Sequence, residues 1–545
     1  MVTRPLDCEP FQSLTSSSGS VVLFIVSTMG QGEAPLNVLT FWKSLMRKSL
    51  SSDALCGLTC AVIGLGDSSY AKYNYVGKKL FRRLNQLGAN MQLDLCLGDD
   101  QHDFGYWGAV DPFLARLWQN LTDRFKLPHF TFAADHLPPA TFTFSPLTSS
   151  HGDDNVLPHA QATSVVVISN DRVTPEDHFQ ETRLIKLQSD RLEYVPGDVI
   201  AILPENSADE VEDLIKLMNL DAKQKVDVAV RSDCNGSPSL FSYSHLPGTD
   251  ELSHLIRTKF DLHAVPKRSF FSLLWKFSGD ETEKEKLKEF ATTEGQQDLY
   301  EYCFQPKRMI IEVLRDFPKT TAQIPLQYLP DLLPAIKERE FSIASSAKAV
   351  PGELHILVVV VEFKTRIKQP RTGFCSNFLA KCKPGDTIGA RIKCGSFTIP
   401  TDKPLIMIGP GSGVAPFRGI IQDRVIDGIR DNILFFGCRN KLADFYFEQD
   451  WKEFTAKNCL LLFTAFSRDQ VQKVYVQHKM HDQKDLIFDW IDKRDAVILV
   501  AGSSNQMPTG VREELVRIVH ELVGNGEAFV TRMENSKRLQ YECWD

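Results

Sequence analysis

The sequence predicts a multidomain protein in which an antiparallel β-barrel with a helical insert lies between two α/β domains. Three observations predict it. Short β-rich runs alternate with amphipathic helical stretches over residues 20–126 and again over 404–545, as parallel βαβ units require. Between them lie runs that read as antiparallel strands, marked by the same Pro-Gly-Asp turn at Pro196–Asp198 and Pro384–Asp386. The 545 residues leave room for about three or four domains of ~150 residues each.

The elements follow in order. In the first domain, 1–126, SVVLFIVST (20–28), LTCAVIGLG (58–66) and NMQLDLCLG (90–98) read as three buried strands. LNVLTFWKSLMRK (36–48), YVGKKLFRRLNQLG (75–88) and DPFLARLWQNLTDRF (111–125) read as the helices between and after them. Residues 127–162 are rich in Pro, Ser, Thr and Asp, lack a lasting period, and read as a linker. Residues 163–403 make the barrel, interrupted at about 205–333 by mainly helical sequence. Residues 404–545 return to βαβ order with PLIMIGPGSGVAPFR, NILFFGCRN, LLFTAFSR and AVILVAGSS.

Composition excludes several classes. With 62 Lys+Arg against 69 Asp+Glu the chain is mildly acidic, which argues against nucleic acid as a partner. No apolar run reaches the ~18 residues of a membrane span, and the N-terminus lacks a signal-peptide core. Twelve cysteines without a C-x-x-C pair read as reduced thiols of a cytosolic protein, with no metal site.

The sharpest motif is PLIMIGPGSGVAPFR (404–418). A buried strand runs into Gly409, Gly411 and Gly413 and then into a helix, whose N-terminus offers N–H groups to a pyrophosphate. An NAD site wants an acid at the end of the next strand. That strand ends instead in Gly437, Cys438 and Arg439. The third ends in Ser467 and Arg468, followed by Lys473, Tyr475 and Gln477, which suit a 2′-phosphate. The plain alternative is a solvated surface cluster. In REFSIASS, Arg339 can neutralise a pyrophosphate, Phe341 can stack on a ring and Ser342 can hydrogen-bond a flavin nitrogen, with Ser345 and Ser346 as further hydroxyls. RTGFCSNFL places Gly373 and Ser376 at a helix start, a second phosphate cradle. In the first domain, VSTMGQGEAP (26–35), GLGDSSYAKYN (64–74) and CLGDDQHDFG (96–105) are loops at strand carboxyl ends, where open α/β sheets bind ligands, and Tyr70 and Tyr73 could face a flavin ring. His478 and His481 read as surface residues, EKEKLKE (283–289) as a solvated helix face, and Trp42, Trp118 and Trp275 as core.

In this order the motifs resemble those of the diflavin reductases, from about residue 20 to the terminus. GLGDSSYAKYN, CLGDDQH, REFSIASS, LFFGCRN and the ending ECWD carry the likeness, and they point to the cytosolic member of that family that feeds iron–sulfur assembly. The resemblance implies an incomplete flavodoxin-like domain, a ferredoxin–NADP reductase-like FAD barrel with helical insert, and an NADP-binding α/β domain. It implies hydride transfer from NADPH to FAD, then single electrons through FMN to a protein acceptor, an iron–sulfur protein of the anamorsin kind.

By motif, FAD would meet Arg308, Arg339, Glu340, Phe341, Ser342, Gly373, Phe374, Cys375, Ser376 and Trp544. NADPH would meet Ser412, Ser467, Arg468, Lys473, Val474, Tyr475, Val476, Gln477 and Met507. FMN would meet Ser27, Thr28, Met29 and Gly30, then Leu65, Gly66, Asp67, Ser68, Ser69, Tyr70, Ala71, Lys72, Tyr73 and Asn74, and Asp100. Ser342 and Glu542 would assist hydride and proton movement, and Trp544 would gate the nicotinamide.

Several relatives carry a cysteine where this chain has Ala501, and an aspartate where it has Glu542. The family's opening strand and Ser/Thr/Gly phosphate loop do not occur in residues 1–19, so weak FMN retention is expected. An FAD-only NADPH dehydrogenase and a truncated, non-catalytic binding form are the alternatives.

Overall fold

Parallel sheets stand near both ends of the chain, as the βαβ alternation requires. The structure, a computed structural model, describes residues 20–29, 32–70, 72–126, 136–147, 163–189, 193–231, 243, 246–366 and 370–544. The chain separates into two units: 1–149 with 213–249 and 262–334, and 150–212 with 250–261 and 335–545.

In the first unit Val21–Ser27 pairs in parallel with Thr59–Gly66, from Val21↔Thr59 to Ser27↔Leu65. Side chains alternate across a strand, so Cys60 and Val62 join one core and Ala61 and Ile63 the other. The first core is closed by Phe41 and Leu45 of the helix Leu39–Leu45 and by Val76, Leu80 and Leu84 of Tyr75–Gln86. The second is closed by Val110, Phe113 and Leu117 of Trp107–Phe125. The single strand expected over 90–98 is two, Asn90–Met91 and Cys96–Asp99, both parallel to Thr59–Gly66. Between Cys60↔Met91 and Ile63↔Cys96 one strand advances three residues and the other five, so the extra residues break the ladder. Trp275 is buried as expected, but Trp118 is 51% exposed, on the helix face turned from the sheet.

Within the expected linker, Phe142–Pro146 forms a strand antiparallel to Lys225–Val230. Burial of Phe142 against Tyr243 supplies the local driving force. The Thr141 backbone N–H and hydroxyl both donate to Asp331 (3.0 and 2.5 Å). Most of the remaining sequence in this unit is helical, including Arg268–Leu274, Glu281–Ala291 and Ile310–Asp316.

The second unit holds a six-stranded antiparallel sheet, in spatial order Arg339–Ser342, Val199–Leu203, Thr387–Lys393, Thr163–Arg172, Thr182–Gln188 and Glu353–Val359. Both Pro-Gly-Asp turns are present. Gly197 (φ +94°) and Gly385 (φ +95°) follow proline in the type II position that needs positive φ. The Asp198 and Asp386 N–H groups close the turns onto Val195 O and Lys383 O (3.1 and 3.0 Å).

Beyond it lies a five-stranded parallel sheet: Leu461–Phe466, Asn432–Cys438, Leu405–Pro410, Val497–Ser503 and Leu539–Trp544. Asn432–Cys438 is buried throughout, as a sheet covered on both faces demands. Chain order reverses between Leu405–Pro410 and Val497–Ser503, and ligands bind at the carboxyl ends beside such a reversal. Among the described residues no helix is long and apolar enough to cross a membrane.

Candidate functional site

At that reversal the chain leaves Leu405–Pro410 through Gly411–Val414 into the helix Ala415–Ile426. Gly413 packs so closely that a Cβ there would lie 2.2 Å from Ala501 O, so any larger residue would push the turn off the sheet. Ser412 sits in this turn.

The neighbouring strand ends bring Ser467 and Arg468 beside Cys438 and Arg439: Ser467 N donates to Cys438 O (2.9 Å) and Arg468 N to Arg439 O (2.8 Å). Ser467 is buried and Arg468 exposed. The nearby acids are engaged elsewhere. Asp444 accepts the N–H groups of Arg439 and Asn440 (2.9 and 2.7 Å), and Asp469 accepts from Asn440 Nδ2 and Lys441 N (3.0 and 3.1 Å). Among the described residues no carboxylate pairs with Arg468 or Lys473. Tyr475 precedes the helix Val476–Asp482 and is 47% exposed, while Val474 and Val476 pack into the core. Gln477 Oε1 and Ser504 Oγ are buried without hydrogen-bond partners among the described residues. Met507 opens the next helix, and a Cβ on Gly502 would lie 3.2 Å from its Cε. Two unneutralised cations, a buried hydroxyl and two polar atoms awaiting partners fit a phosphorylated nucleotide. His478 Nδ1 accepts the Tyr475 N–H (3.1 Å), and His481 pairs with Glu514 (2.9 Å).

On the edge strand Leu539–Trp544, Glu542 lies opposite Ala501 and Trp544 opposite Ser503. Ser342 Oγ donates to Glu542 Oε1 (3.0 Å). The other oxygen accepts from Ser396 Oγ (2.8 Å) and Ser396 N (3.4 Å). Burial pushes the Glu542 carboxyl above its ordinary value; the two serines pull it back and the Glu340 charge adds to the rise. Phe341 packs against the barrel core, and Glu340 is ion-paired to Lys393 (2.6 Å). Arg339 donates to the Lys337 and Glu338 carbonyls. Ser345 and Ser346 have structural roles, bonded to Tyr194 and Asp423 (2.8 and 2.7 Å).

Gly373 lets the chain pass Val361 into the helix Phe374–Lys381; a Cβ there would meet Val361 Cβ at 2.8 Å and Ser376 Oγ at 2.9 Å. That close approach suits a phosphate cradle, although Ser376 Oγ accepts the Val361 N–H (3.0 Å). Cys375 is buried and its thiol is pushed up to about 12, which leaves it inert. Arg308 belongs to the other unit, where it lies over Tyr302 and pairs with Asp316 (2.8 Å).

In the first unit a cleft of about 320 Å³ opens at the strand carboxyl ends, lined by Ser27, Thr28, Leu65, Gly66, Asp67, Tyr70, Lys72, Tyr73, Asn74, Asp100 and Tyr106. Its size lies within the ~300–1,000 Å³ of small-ligand sites. Thr28 Oγ1 accepts the Val76 N–H (3.2 Å), and Tyr73 OH donates to Leu97 O (3.2 Å). Asn74 takes a left-handed conformation (φ +53°) and donates to Gly98 O (2.8 Å); its Oδ1 is buried without a partner among the described residues. Burial pushes the Asp99 carboxyl up, but hydrogen bonds from Ser68 and Gln101 outweigh it and hold the group ionised. Ser69 N donates to Asp67 Oδ1 (2.7 Å) and Met29 is exposed. Gly30, Ala71 and the whole of 1–19 lie outside the described residues. The sequence reading missed Tyr106, Asp99 and Ser396. A polar residue in a strand-to-strand loop, as Ser396 is, carries no motif.

Two phosphate-receptive turns and an open flavodoxin-like cleft define a flavin- and nicotinamide-dependent oxidoreductase. Family models match accordingly: flavodoxin over residues 14–106, FAD binding domain over 158–378 and oxidoreductase NAD-binding domain over 407–513. The chain is 41% identical to NADPH-dependent diflavin oxidoreductase 1 of Xenopus laevis, over 96% of this chain and 91% of that protein. Identity is 41% to the Mus musculus protein of that name (96% and 91% covered) and 34% to that of Schizosaccharomyces pombe (99% and 92%). The chain belongs to the NADPH-dependent diflavin oxidoreductase 1 family. Its cofactors are FAD, FMN and NADPH.

Proposed function

We propose that this NADPH-dependent flavoprotein delivers electrons to a cytoplasmic iron–sulfur assembly protein of the anamorsin kind. FAD and FMN, when bound, would supply two-electron acceptance from NADPH and one-electron delivery onward. Ser467, Arg468 and Lys473 hold the 2′-phosphate, with Ser412, Tyr475, Gln477 and Met507 along the rest of the nucleotide. Arg339, Phe341, Ser342 and the Gly373–Ser376 turn bind FAD, and Trp544 covers its ring. Glu542 and Ser342 hold and move a proton beside it. Thr28, Tyr70, Tyr73 and Asn74 flank FMN. In this reading the modules run 1–126, 163–403 and 404–545, with the chain between 127 and 162 joining the first two.

The observation that carries the reading is similarity to diflavin oxidoreductases over nearly the whole chain, together with the unneutralised cations beside Ser467. Flavin extraction from the purified full chain, paired with NADPH-driven reduction of an iron–sulfur acceptor, tests it. The flavodoxin match over 14–106 outweighs the weak FMN retention expected from residues 1–19, so equal FAD and FMN and a reduced acceptor are expected. FAD alone would overturn the FMN assignment, and an acceptor that stays oxidised while ferricyanide is reduced would overturn the partner.

A further inference from the structure

We propose that Ser396 is a positioning residue that clamps the Glu542 carboxyl against Ser342 and so fixes which form of that carboxyl faces the flavin site. The inference rests on the reading of Glu542 as the proton-handling group.

Glu542 lies on the edge strand of the parallel sheet, and its neighbour across the ladder, Ala501, has no polar side-chain atom to offer. Both carboxylate oxygens are nevertheless satisfied from the barrel side: Oε1 by Ser342 Oγ at 3.0 Å, Oε2 by Ser396 Oγ at 2.8 Å and Ser396 N at 3.4 Å. Ser396 is exposed, so burial does not compel its hydroxyl to make this bond. Its backbone is held instead. Gly395 packs against the Pro196–Asp198 turn so tightly that a Cβ there would lie 1.6 Å from Gly197 O, and its N–H donates to Asp198 Oδ1 (3.3 Å). Two residues on, Thr398 N donates to Gln540 Oε1 (2.7 Å) and Gln540 Nε2 returns a bond to Thr398 O (2.9 Å). The loop is thus pinned on either side of the hydroxyl, to the Pro196–Asp198 turn before it and to the strand Leu539–Trp544 after it. A carboxylate fixed by two hydroxyl donors keeps one orientation, and donors to the ionised form favour that form.

The other ionisable groups around the carboxyl are few. Glu340, on the strand of Ser342, raises its proton affinity but is ion-paired to Lys393 (2.6 Å), which also holds Glu338 (3.1 Å). Cys543, next along the strand, is pushed up to about 12 by burial and stays a neutral thiol. Asp198 is occupied by the Gly395 and Val195 N–H groups.

The test is an infrared pH titration of the carboxyl C=O band of the flavin-loaded full chain, the band being assigned by its loss in Glu542→Gln. Ser396→Ala should raise the Glu542 midpoint by about one pH unit, tenfold in the proton equilibrium. Ser396→Thr, which keeps the hydroxyl, should restore it, and the pH profile of NADPH-driven ferricyanide reduction should move in step. A midpoint unchanged in Ser396→Ala would overturn the inference, even where Glu542→Gln slows turnover. A shifted midpoint with turnover indifferent to Glu542→Gln would sustain the clamp and overturn the proton-handling reading instead.

Discussion

Replacing Arg468 with Ala separates a 2′-phosphate site from a generic nucleotide surface. Arg468 is held by its backbone N–H on Arg439 O, so the side chain can be removed without disturbing the strand ends. Among the described residues its guanidinium has no carboxylate partner, so the variant leaves no orphaned acid behind. A charge-assisted hydrogen bond contributes ~1.5–3 kcal/mol. Because Arg468 is exposed, solvent screening places the loss at the lower end, ~1.5 kcal/mol, or about tenfold in affinity. The expected result is a KM for NADPH raised about tenfold, with kcat little changed and the KM for NADH unmoved. Steady-state ferricyanide reduction with each nucleotide reads all three. The NADPH effect should also shrink as salt rises, since the contact is screened. Equal effects on both nucleotides would refute the assignment and leave Arg468 as part of a solvated surface cluster.

Two further outcomes are expected. Trp544→Ala should raise NADH use relative to NADPH if, as proposed, its ring competes with the nicotinamide for the flavin face; unaltered discrimination in the same assay would reduce Trp544 to a packing anchor for Ser504, whose N–H it accepts at 2.8 Å. His355 is 4% exposed and burial pushes it below its ordinary value of 6.5, with Arg418 and Lys186 adding to the fall and Glu353 opposing it. It is neutral in the fold, so its contribution to stability is complete above pH 6.5 and is lost as pH falls from there toward the depressed value. Thermal melts between pH 7.5 and 5.5 should therefore drop more steeply for the native chain than for His355→Gln, and parallel curves would count against this.

Much of the fold was legible because periodicity and turn chemistry are local. The Pro-Gly-Asp turns announced their positive-φ glycines, and Gly411 and Gly413 announced the strand-to-helix turn where the sheet reverses. What escaped was set by partners distant in sequence. Phe142–Pro146 is a strand because Lys225–Val230 lies beside it, and the pause between Met91 and Cys96 is visible only against the register of Thr59–Gly66. Trp118 looked like core because its helical spacing is apolar, yet the sheet takes the opposite face of that helix through Phe113 and Leu117. The same holds at the site. Arg468 and Glu542 sit in recognisable motifs, whereas Ser396 reaches Glu542 across 146 residues of sequence.

The absence of an acid after NILFFG is a sequence argument for NADPH, and the acids that do lie nearby bear on the proposed 2′-phosphate site as well. Asp444 and Asp469 lie within a few residues of Arg439 and Arg468, near enough in sequence to neutralise them or to mimic a diol acceptor. Each is instead fixed by donors from 439–441: Asp444 by the Arg439 and Asn440 N–H groups, Asp469 by Asn440 Nδ2 and Lys441 N. By turning to the arginines each acid would forfeit two charge-assisted bonds, and for the exposed Asp469 an ion pair would return only ~0–1 kcal/mol. The loop between Cys438 and Lys441 therefore does two tasks with one set of donors. Its N–H groups gain acceptors at the helix start, and with both carboxylates so held Arg468 and Lys473 have no carboxylate partner among the described residues. A change at Asn440 that released Asp469 should weaken NADPH preference in the same steady-state assay without touching a residue proposed to bind the nucleotide.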